Sequence, residues 1–93
     1  KVSVVGLGSW LTIGNAIDTQ ASARLVAHAF AAGVNLFDTA DVYHDGAAEE
    51  ALGVATRGMV RHQLVLATKC FFPMGDDPND RGLSRKHVVE SLH

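Results

Sequence analysis

The segment GVNLFDTADVY, residues 33–43, joins a short apolar run to an aspartate and, shortly after it, to a tyrosine. The segment LVLATK, residues 64–69, repeats this pattern and ends in a lysine. Apolar runs of this length that end in a polar side chain predict buried strands that present that side chain at their C-terminal ends. In α/β proteins these strand ends lie along one edge of the sheet, where ligands bind. We therefore expect Asp38, Tyr43 and Lys69 to lie close together.

Outside these segments the sequence predicts an alternation of strands and helices. Strands are expected at Val2–Leu7, Val34–Asp38 and Leu64–Lys69, and helices from Asp18 or Thr19 to about Ala32, from about Ala47 to Thr56, and from Ser84 towards His93. Gly33 is expected to end the first helix, and the stretch 71–82, which contains both prolines, is expected to be a loop. Strands that alternate with helices indicate a parallel sheet with right-handed crossovers.

The predicted fold class is therefore α/β. About three βα units account for the chain, whereas a closed TIM (β/α)8 barrel needs about 250 residues. Three parallel strands by themselves leave both edges of the sheet open, and parallel sheets are normally covered on both faces. We expect residues 1–93 to be one partial domain, the N-terminal portion of such a barrel, which comprises strands 1–3 and the start of helix 3.

Composition and charge exclude several classes of protein. Hydrophobic residues make up 47% and charged residues 19% of the 93 residues, a balance typical of globular domains. The net charge of −2 provides no basic surface for nucleic acid, and no apolar run reaches the roughly 20 residues of a membrane span. The single cysteine and the absence of a leader-like segment favour a reducing compartment, so the cytoplasm is the expected location.

Asp38, Tyr43 and Lys69 together have the chemistry of a proton-donating site. A free tyrosine, with a pKa of about 10, is a poor proton donor at neutral pH. An ammonium group nearby favours the phenolate and makes donation easier; Lys69 could supply it, and Asp38 could hold Lys69 in place. The hydroxyl would then donate to a carbonyl oxygen on which negative charge develops. The accompanying hydride cannot come from a side chain, so a nicotinamide cofactor is implied.

Each of these residues alone has a simpler interpretation. An aspartate at a strand end is often a helix cap or a loop hydrogen-bonding group, a lysine there is commonly solvated, and a tyrosine often packs with its hydroxyl in water. Their joint occurrence at successive strand ends favours the catalytic interpretation.

His44 could line the same pocket or be a solvated loop residue, and Trp10, Phe71 and Phe72 could lie in the core or at the pocket mouth.

Two patterns that suggest other sites are weaker. Gly6 and Gly8 lie at the end of the first predicted strand, but Leu11 stands where a dinucleotide-binding glycine motif needs its third glycine. The five histidines are scattered without ligand spacing, and the acidic stretch 76–80 contains a proline and lacks a bidentate glutamate. We therefore predict no metal site.

Several motifs of the chain resemble those of the aldo/keto reductase family. The family signature is a glycine before a short apolar strand, then Asp-Ser/Thr-Ala-x-x-Tyr, and then Glu-x-x-Leu-Gly. The chain has Gly33 before the strand, DTADVY at residues 38–43 and EEALG at residues 49–53. The strand that ends in ATK, residues 67–69, lies where the family has its catalytic lysine. The resemblance extends over essentially the whole chain.

The resemblance implies a TIM-barrel enzyme that reduces aldehydes or ketones to alcohols with NADPH or, less often, NADH. It implies that Tyr43 is the proton donor, that Asp38 and Lys69 tune it, and that Asp38 also contacts the nicotinamide ribose. Ser9 and Trp10 correspond to residues after the first strand that approach the cofactor. A small-molecule carbonyl compound would be the substrate.

Two further segments, residues 6–12 and 82–87, resemble the branch of the family that contains potassium-channel β-subunits and their bacterial relatives. This leaves an alternative function, a regulatory nucleotide-binding module with a channel partner, and a homo-oligomer is compatible with either. A third alternative is that the 93 residues are inactive alone. The family's fourth catalytic residue, a histidine on the fourth strand, and its later cofactor-binding segments are expected beyond residue 93.

Overall fold

The computed structural model describes residues 1–92, in which three parallel strands alternate with three α-helices. The strands are β1 (Gly6–Gly8), β2 (Leu36–Asp38) and β3 (Val65–Ala67), and the helices are α1 (Thr19–Ala31), α2 (Ala47–Ala55) and α3 (Arg85–Ser91), with a 3-10 turn at Arg61–Gln63. The strands lie side by side in the order β1-β2-β3, and both pairs are parallel. The predicted parallel βα arrangement is therefore confirmed, while the expected end of the third helix at His93 lies outside the described residues.

The boundaries of α1 follow from capping residues that the sequence supplies. The side chain of Asp18 accepts a hydrogen bond from a backbone N–H of the first turn at 2.6 Å and begins the helix. At the other end, the N–H groups of Gly33 and Val34 each donate at 3.0 Å to carbonyls of the last turn. This pair of bonds is a Schellman motif, in which Gly33 adopts a φ of 96° without strain.

No helix described in residues 1–92 is long and apolar enough to span a membrane.

The strands β2 and β3 are shorter than the sequence predicts. Val34 is excluded from the ladder because its N–H is used by the end of α1. Beyond the strands the pairing continues irregularly, since the Thr39 N–H donates to the Ala67 carbonyl at 2.8 Å and the Asp41 N–H donates to the Lys69 carbonyl at 3.1 Å. The polar residues that follow β2 and β3 are thus held side by side, although they lie outside the regular sheet.

The first predicted strand, Val2–Leu7, is wrong in its position and burial. β1 begins only at Gly6, and Val4 is completely exposed. The Ser3 N–H donates to the Asn35 side chain at 2.8 Å, and the Asn35 N–H donates to the Ser3 hydroxyl at 3.0 Å. Side-chain acceptors therefore take the backbone donors that a regular ladder would use. β1 also lies at the edge of the described sheet, where no further strand covers the valines.

The hydrophobic core lies between the sheet and the helix pair α1 and α2. Phe37, the central residue of β2, is completely buried, as is Val26 of α1. Because side chains alternate along a strand, Leu36 and Asp38 face away from this core. The buried cluster consists of Ile13, Val26, Phe37, Ala51, Leu52, Ala55 and Leu64. Burial of Phe37 thus anchors β2 and directs the neighbouring carboxylate of Asp38 to the opposite side of the sheet.

Gly14 lies between β1 and α1 and closely approaches the start of α2. Its φ is +76°, and a Cβ atom at this position would lie 2.6 Å from the Ala47 carbonyl oxygen. We expect Gly14→Ala to lower the free energy of unfolding by at least about 2 kcal/mol, because a left-handed backbone costs an L-residue about 1–2 kcal/mol and the clash adds to it. The measurement is urea unfolding of the longest natural polypeptide that contains residues 1–93, called the parent polypeptide below.

Gly53→Ala is the matched control for this prediction. Gly53 lies within α2, and apart from the backbone of its own helix and its two chain neighbours a Cβ atom there would meet no atom within 4 Å. Alanine is better than glycine inside a helix by about 0.5–1 kcal/mol, so this variant should be slightly more stable than the native protein. Equal losses of stability for the two variants would contradict the close approach of Gly14 to α2.

Candidate active site

Asp38, Tyr43 and Lys69 lie together beyond the C-terminal ends of β2 and β3. The Lys69 ammonium donates to both carboxylate oxygens of Asp38, at 2.9 and 2.8 Å, and to the Tyr43 hydroxyl oxygen at 3.4 Å. The same nitrogen lies 5.1 Å from the centre of the tyrosine ring. One ammonium group therefore connects the three side chains that the sequence predicts to meet.

The surroundings of Lys69 keep its side chain charged. Partial burial disfavours the ammonium and lowers the pKa of Lys69, but the hydrogen bonds to Asp38 and Tyr43 and the negative charge of Asp38 outweigh it. The pKa of Lys69 is therefore raised above its ordinary value of 10.5. Since 49% of the Lys69 side chain and 45% of the Asp38 side chain are open to solvent, the pair adds little stability. Its consequence is a permanent cation beside the Tyr43 hydroxyl.

A tight turn after β2 carries Tyr43. The Tyr43 N–H donates to the carbonyl of the buried Ala40 at 3.2 Å. Within the same turn, the Thr39 carbonyl accepts a hydrogen bond from Lys69 Nζ at 2.8 Å. The ammonium therefore contacts both the backbone of the turn and the carboxylate of Asp38, which fixes the turn relative to the lysine.

Ser9 and Trp10, which the sequence predicts to approach a nicotinamide cofactor, lie directly after β1. The Ser9 N–H donates to the Asp38 carbonyl at 2.9 Å, so this segment lies beside the candidate site. The Trp10 side chain is exposed and stacks on Tyr43, with ring centres 6.2 Å apart. The Ser9 hydroxyl is buried and has no hydrogen-bond partner within residues 1–92. Trp10 and the Asp38 carboxylate are thus open to solvent, whereas the Ser9 hydroxyl is buried.

An open, mainly apolar cleft of about 660 Å³ adjoins Tyr43. The residues that line it are Trp10, Val42, Tyr43, Phe72 and Pro73. This volume lies within the range of small-molecule sites. Val42 and Pro73 are not among the site residues predicted from the sequence. The position of Val42 next to Tyr43 was a usable signal, whereas the place of Pro73 depends on the path of the long loop after β3.

Comparison with known proteins identifies the family. The sequence profile described as "Aldo/keto reductase family" matches residues 4–93. The chain belongs to the aldo/keto reductase family. Two curated relatives are each described as "Probable voltage-gated potassium channel subunit beta". The protein from Oryza sativa subsp. japonica is 47% identical to this chain over 94 residues. The protein from Arabidopsis thaliana is 46% identical over 92 residues. The matches cover 99% and 97% of this chain, but only 28% of each relative.

Two crystal structures of aldo/keto reductases from Klebsiella pneumoniae share the fold. One, in complex with NADP and acetate, is 36% identical with a TM-score of 0.68, and the other, in complex with NADPH, is 35% identical with a TM-score of 0.63. Each match covers 75% of this chain and 24% of the other chain. The predicted fold class is therefore confirmed: the parallel βα units correspond to the N-terminal portion of an aldo/keto reductase (β/α)8 barrel.

The second half of the aldo/keto reductase signature, residues 49–53, has a structural part in this chain. Leu52 is buried in the hydrophobic core. The Glu49 carboxylate accepts a hydrogen bond from the Thr68 hydroxyl at 2.5 Å. Because Thr68 directly precedes Lys69, this bond ties α2 to the segment that presents the ammonium group. The signature residues thus pack α2 into the core through Leu52 and hold the segment before Lys69 through Glu49.

Proposed function

We propose that the parent polypeptide reduces aldehydes or ketones to alcohols with NADPH or, less favourably, NADH, and that Tyr43 is the proton donor. The observation that carries this proposal is the Lys69 ammonium, which lies 2.8 Å from the Asp38 carboxylate and 3.4 Å from the Tyr43 hydroxyl. Membership of the aldo/keto reductase family supports it, as do the related structures in complex with NADP and NADPH.

In this proposal Tyr43 delivers the proton that the carbonyl oxygen takes up. When bound, the nicotinamide cofactor supplies the hydride to the carbonyl carbon. The Lys69 ammonium faces the phenolic oxygen, so it stabilises the negative charge that remains when the proton leaves. The resulting phenolate is then reprotonated from water, which reaches this partly exposed site.

Asp38 has two proposed roles at the same site. An ammonium group has three N–H donors. The ammonium of Lys69 is surrounded by three acceptor groups, the Asp38 carboxylate, the Thr39 carbonyl and the Tyr43 oxygen. This set of acceptors holds the lysine against the tyrosine. The exposed part of the carboxylate is also the group that we propose to accept a hydrogen bond from the nicotinamide ribose.

The cleft beside Tyr43 is the proposed substrate site. Its apolar walls, formed by Trp10 and Phe72 among others, suit an uncharged small-molecule carbonyl compound. Tyr43 itself lines the cleft, so we propose that a carbonyl oxygen that enters the cleft reaches its hydroxyl. The Trp10 ring, which is open to solvent, is the proposed contact for the cofactor at the border of this cleft.

The curated relatives favour a second candidate function, a nucleotide-binding regulatory subunit of a membrane channel. Both relatives are described as probable potassium channel β-subunits. In this function the same residues would bind the cofactor, and the protein surface would bind a channel. Association of the parent polypeptide with a membrane channel, together with NADPH binding and no carbonyl turnover, would favour it.

The test of the proposed enzyme uses NADPH deuterated at its transferable position. With the parent polypeptide and an aromatic aldehyde, we expect an alcohol that carries the deuterium on its carbinol carbon, formed in step with NADP⁺. Tight NADPH binding without deuterated alcohol from a panel of aldehydes and ketones would contradict the proposal and favour the channel subunit. Residues 1–93 alone are the comparison; we expect no turnover from them, because they span 28% of the length of the curated relatives.

A further inference from the structure

The backbone directly after Tyr43 has an unusual conformation. His44 and Asp45 both have a φ of 52°, and Gly46 follows with a φ of 87°. Left-handed conformations are uncommon for residues other than glycine, although histidine and aspartate adopt them more readily than most. These residues turn the chain sharply before α2 and bring the His44 side chain to the segment after β1.

The contact that results is a hydrogen bond between His44 and Trp10. His44 Nε2 lies 2.9 Å from the Trp10 carbonyl oxygen. Because a carbonyl oxygen only accepts hydrogen bonds, Nε2 must carry the hydrogen. Both the neutral tautomer with a proton on Nε2 and the imidazolium ion meet this requirement. The bond ties the segment after β1 to the turn that carries Tyr43.

We infer that His44 is a positioning residue that holds the Trp10 ring against Tyr43. Trp10 is 63% exposed, and its ring stacks on that of Tyr43 with an angle of 25° between the ring planes. So exposed a ring has little packing of its own to keep it in place. The hydrogen bond from His44 fixes the backbone from which the ring projects. His44 thereby shapes the cleft without touching the reacting atoms.

The inference rests on the proposed function only for its effect on turnover. Trp10 forms part of the apolar wall of the cleft together with Phe72 and Pro73. The hydrogen bonds from the Lys69 ammonium to Asp38 and Tyr43 do not involve His44. Loss of the His44 bond should therefore weaken the binding of an apolar carbonyl substrate and leave the chemical step intact, so that KM rises and kcat does not fall.

Four variants of the parent polypeptide separate the hydrogen bond from the backbone conformation. His44→Asn tolerates a left-handed backbone, but its side chain is too short to reach Trp10. His44→Gly removes both the side chain and the strain. His44→Gln restores a donor, because its amide nitrogen occupies the same place along the side chain as Nε2. His62→Asn is the matched control, since the exposed His62 lies in the 3-10 turn before β3, at the other end of the strand.

Two independent readouts follow the position of Trp10 and the state of the cleft. Acrylamide quenching of the Trp10 emission, isolated by subtracting the signal of a Trp10→Phe protein, reports the exposure of the ring without any turnover. Values of KM and kcat for an aromatic aldehyde report substrate binding and the chemical step. Far-UV circular dichroism shows that each variant is folded.

We expect His44→Asn and His44→Gly to increase the quenching of Trp10 and to raise KM by about three- to tenfold. This is the change expected from the loss of one hydrogen bond. The kcat of both should stay within about twofold of the native value. His44→Gln and His62→Asn should match the native protein in both readouts. Unchanged quenching in both His44→Asn and His44→Gly would overturn the inference. If the native protein has no turnover, the proposed function fails, while the quenching still decides the role of His44.

Discussion

Tyr43→Phe in the parent polypeptide is expected to lower kcat for carbonyl reduction by about 10²–10⁴-fold, the range for the loss of a positioned general acid. The substitution removes only the hydroxyl. The ring that stacks on Trp10 at 6.2 Å and lies 5.1 Å from Lys69 Nζ is retained. The bond of 2.8 Å between Lys69 and Asp38 is also untouched, so the ammonium and the carboxylate both stay in place beside residue 43. The measurement is NADPH oxidation at saturating aldehyde.

The affinity of Tyr43→Phe for NADPH distinguishes a lost proton donor from a damaged site. We expect the affinity, measured by fluorescence titration, to be unchanged, because the hydroxyl is proposed to contact the substrate rather than the cofactor. A kcat within about tenfold of the native value would show that another group donates the proton. A parallel loss of kcat and of NADPH affinity would instead indicate that the site has been distorted.

Phe37→Ala is expected to lower the free energy of unfolding by about 3–5 kcal/mol, the usual cost of removing a large buried aromatic side chain. Phe37 is 0% exposed. It pairs with Leu7 of β1 and Leu66 of β3 at the centre of the sheet. Such a loss approaches the whole stability of many domains, about 5–15 kcal/mol. Urea unfolding followed by circular dichroism gives the value, and Phe37→Leu, which keeps most of the buried volume, should lose much less.

Phe72→Ala is the matched control, because it removes the same side chain from the surface. Phe72 is 61% exposed, and its ring makes an edge-on contact with Phe71 at 5.6 Å between centres. Loss of this aromatic pair should cost less than about 1.5 kcal/mol. Comparable losses at Phe37 and Phe72 would mean that the core does not lie between β2 and the helices as described.

Both ends of α1 and the start of α3 could be predicted closely from the sequence. Asp18 begins α1 and Ser84 begins α3, each by accepting a hydrogen bond from the first turn, and Gly33 ends α1 in a left-handed conformation. These features depend on bonds between residues close together in the chain, so the local sequence is sufficient to predict them. The parallel sheet followed from the alternation of such helices with apolar runs.

The first strand could not be predicted in the same way. The apolar residues of Val2–Leu7 are typical of a buried strand, yet Val4 is exposed and β1 begins at Gly6. Burial of a strand depends on what covers it, and the described chain provides no cover at this edge. The bonds between Ser3 and Asn35 join residues 32 positions apart, and no local pattern indicates them.

The sequence by itself determined the family and the parallel βα order, and it predicted which three residues meet at the candidate site, because motifs, caps and periodicity are local properties of the chain. Only the tertiary structure decided the distances among these residues and their neighbours. Lys69 meets Asp38 across 31 positions, and His44 meets Trp10 across 34. Such contacts follow from the register of β1, β2 and β3, which the packing of Phe37 and its neighbours fixes and which short-range preferences leave open.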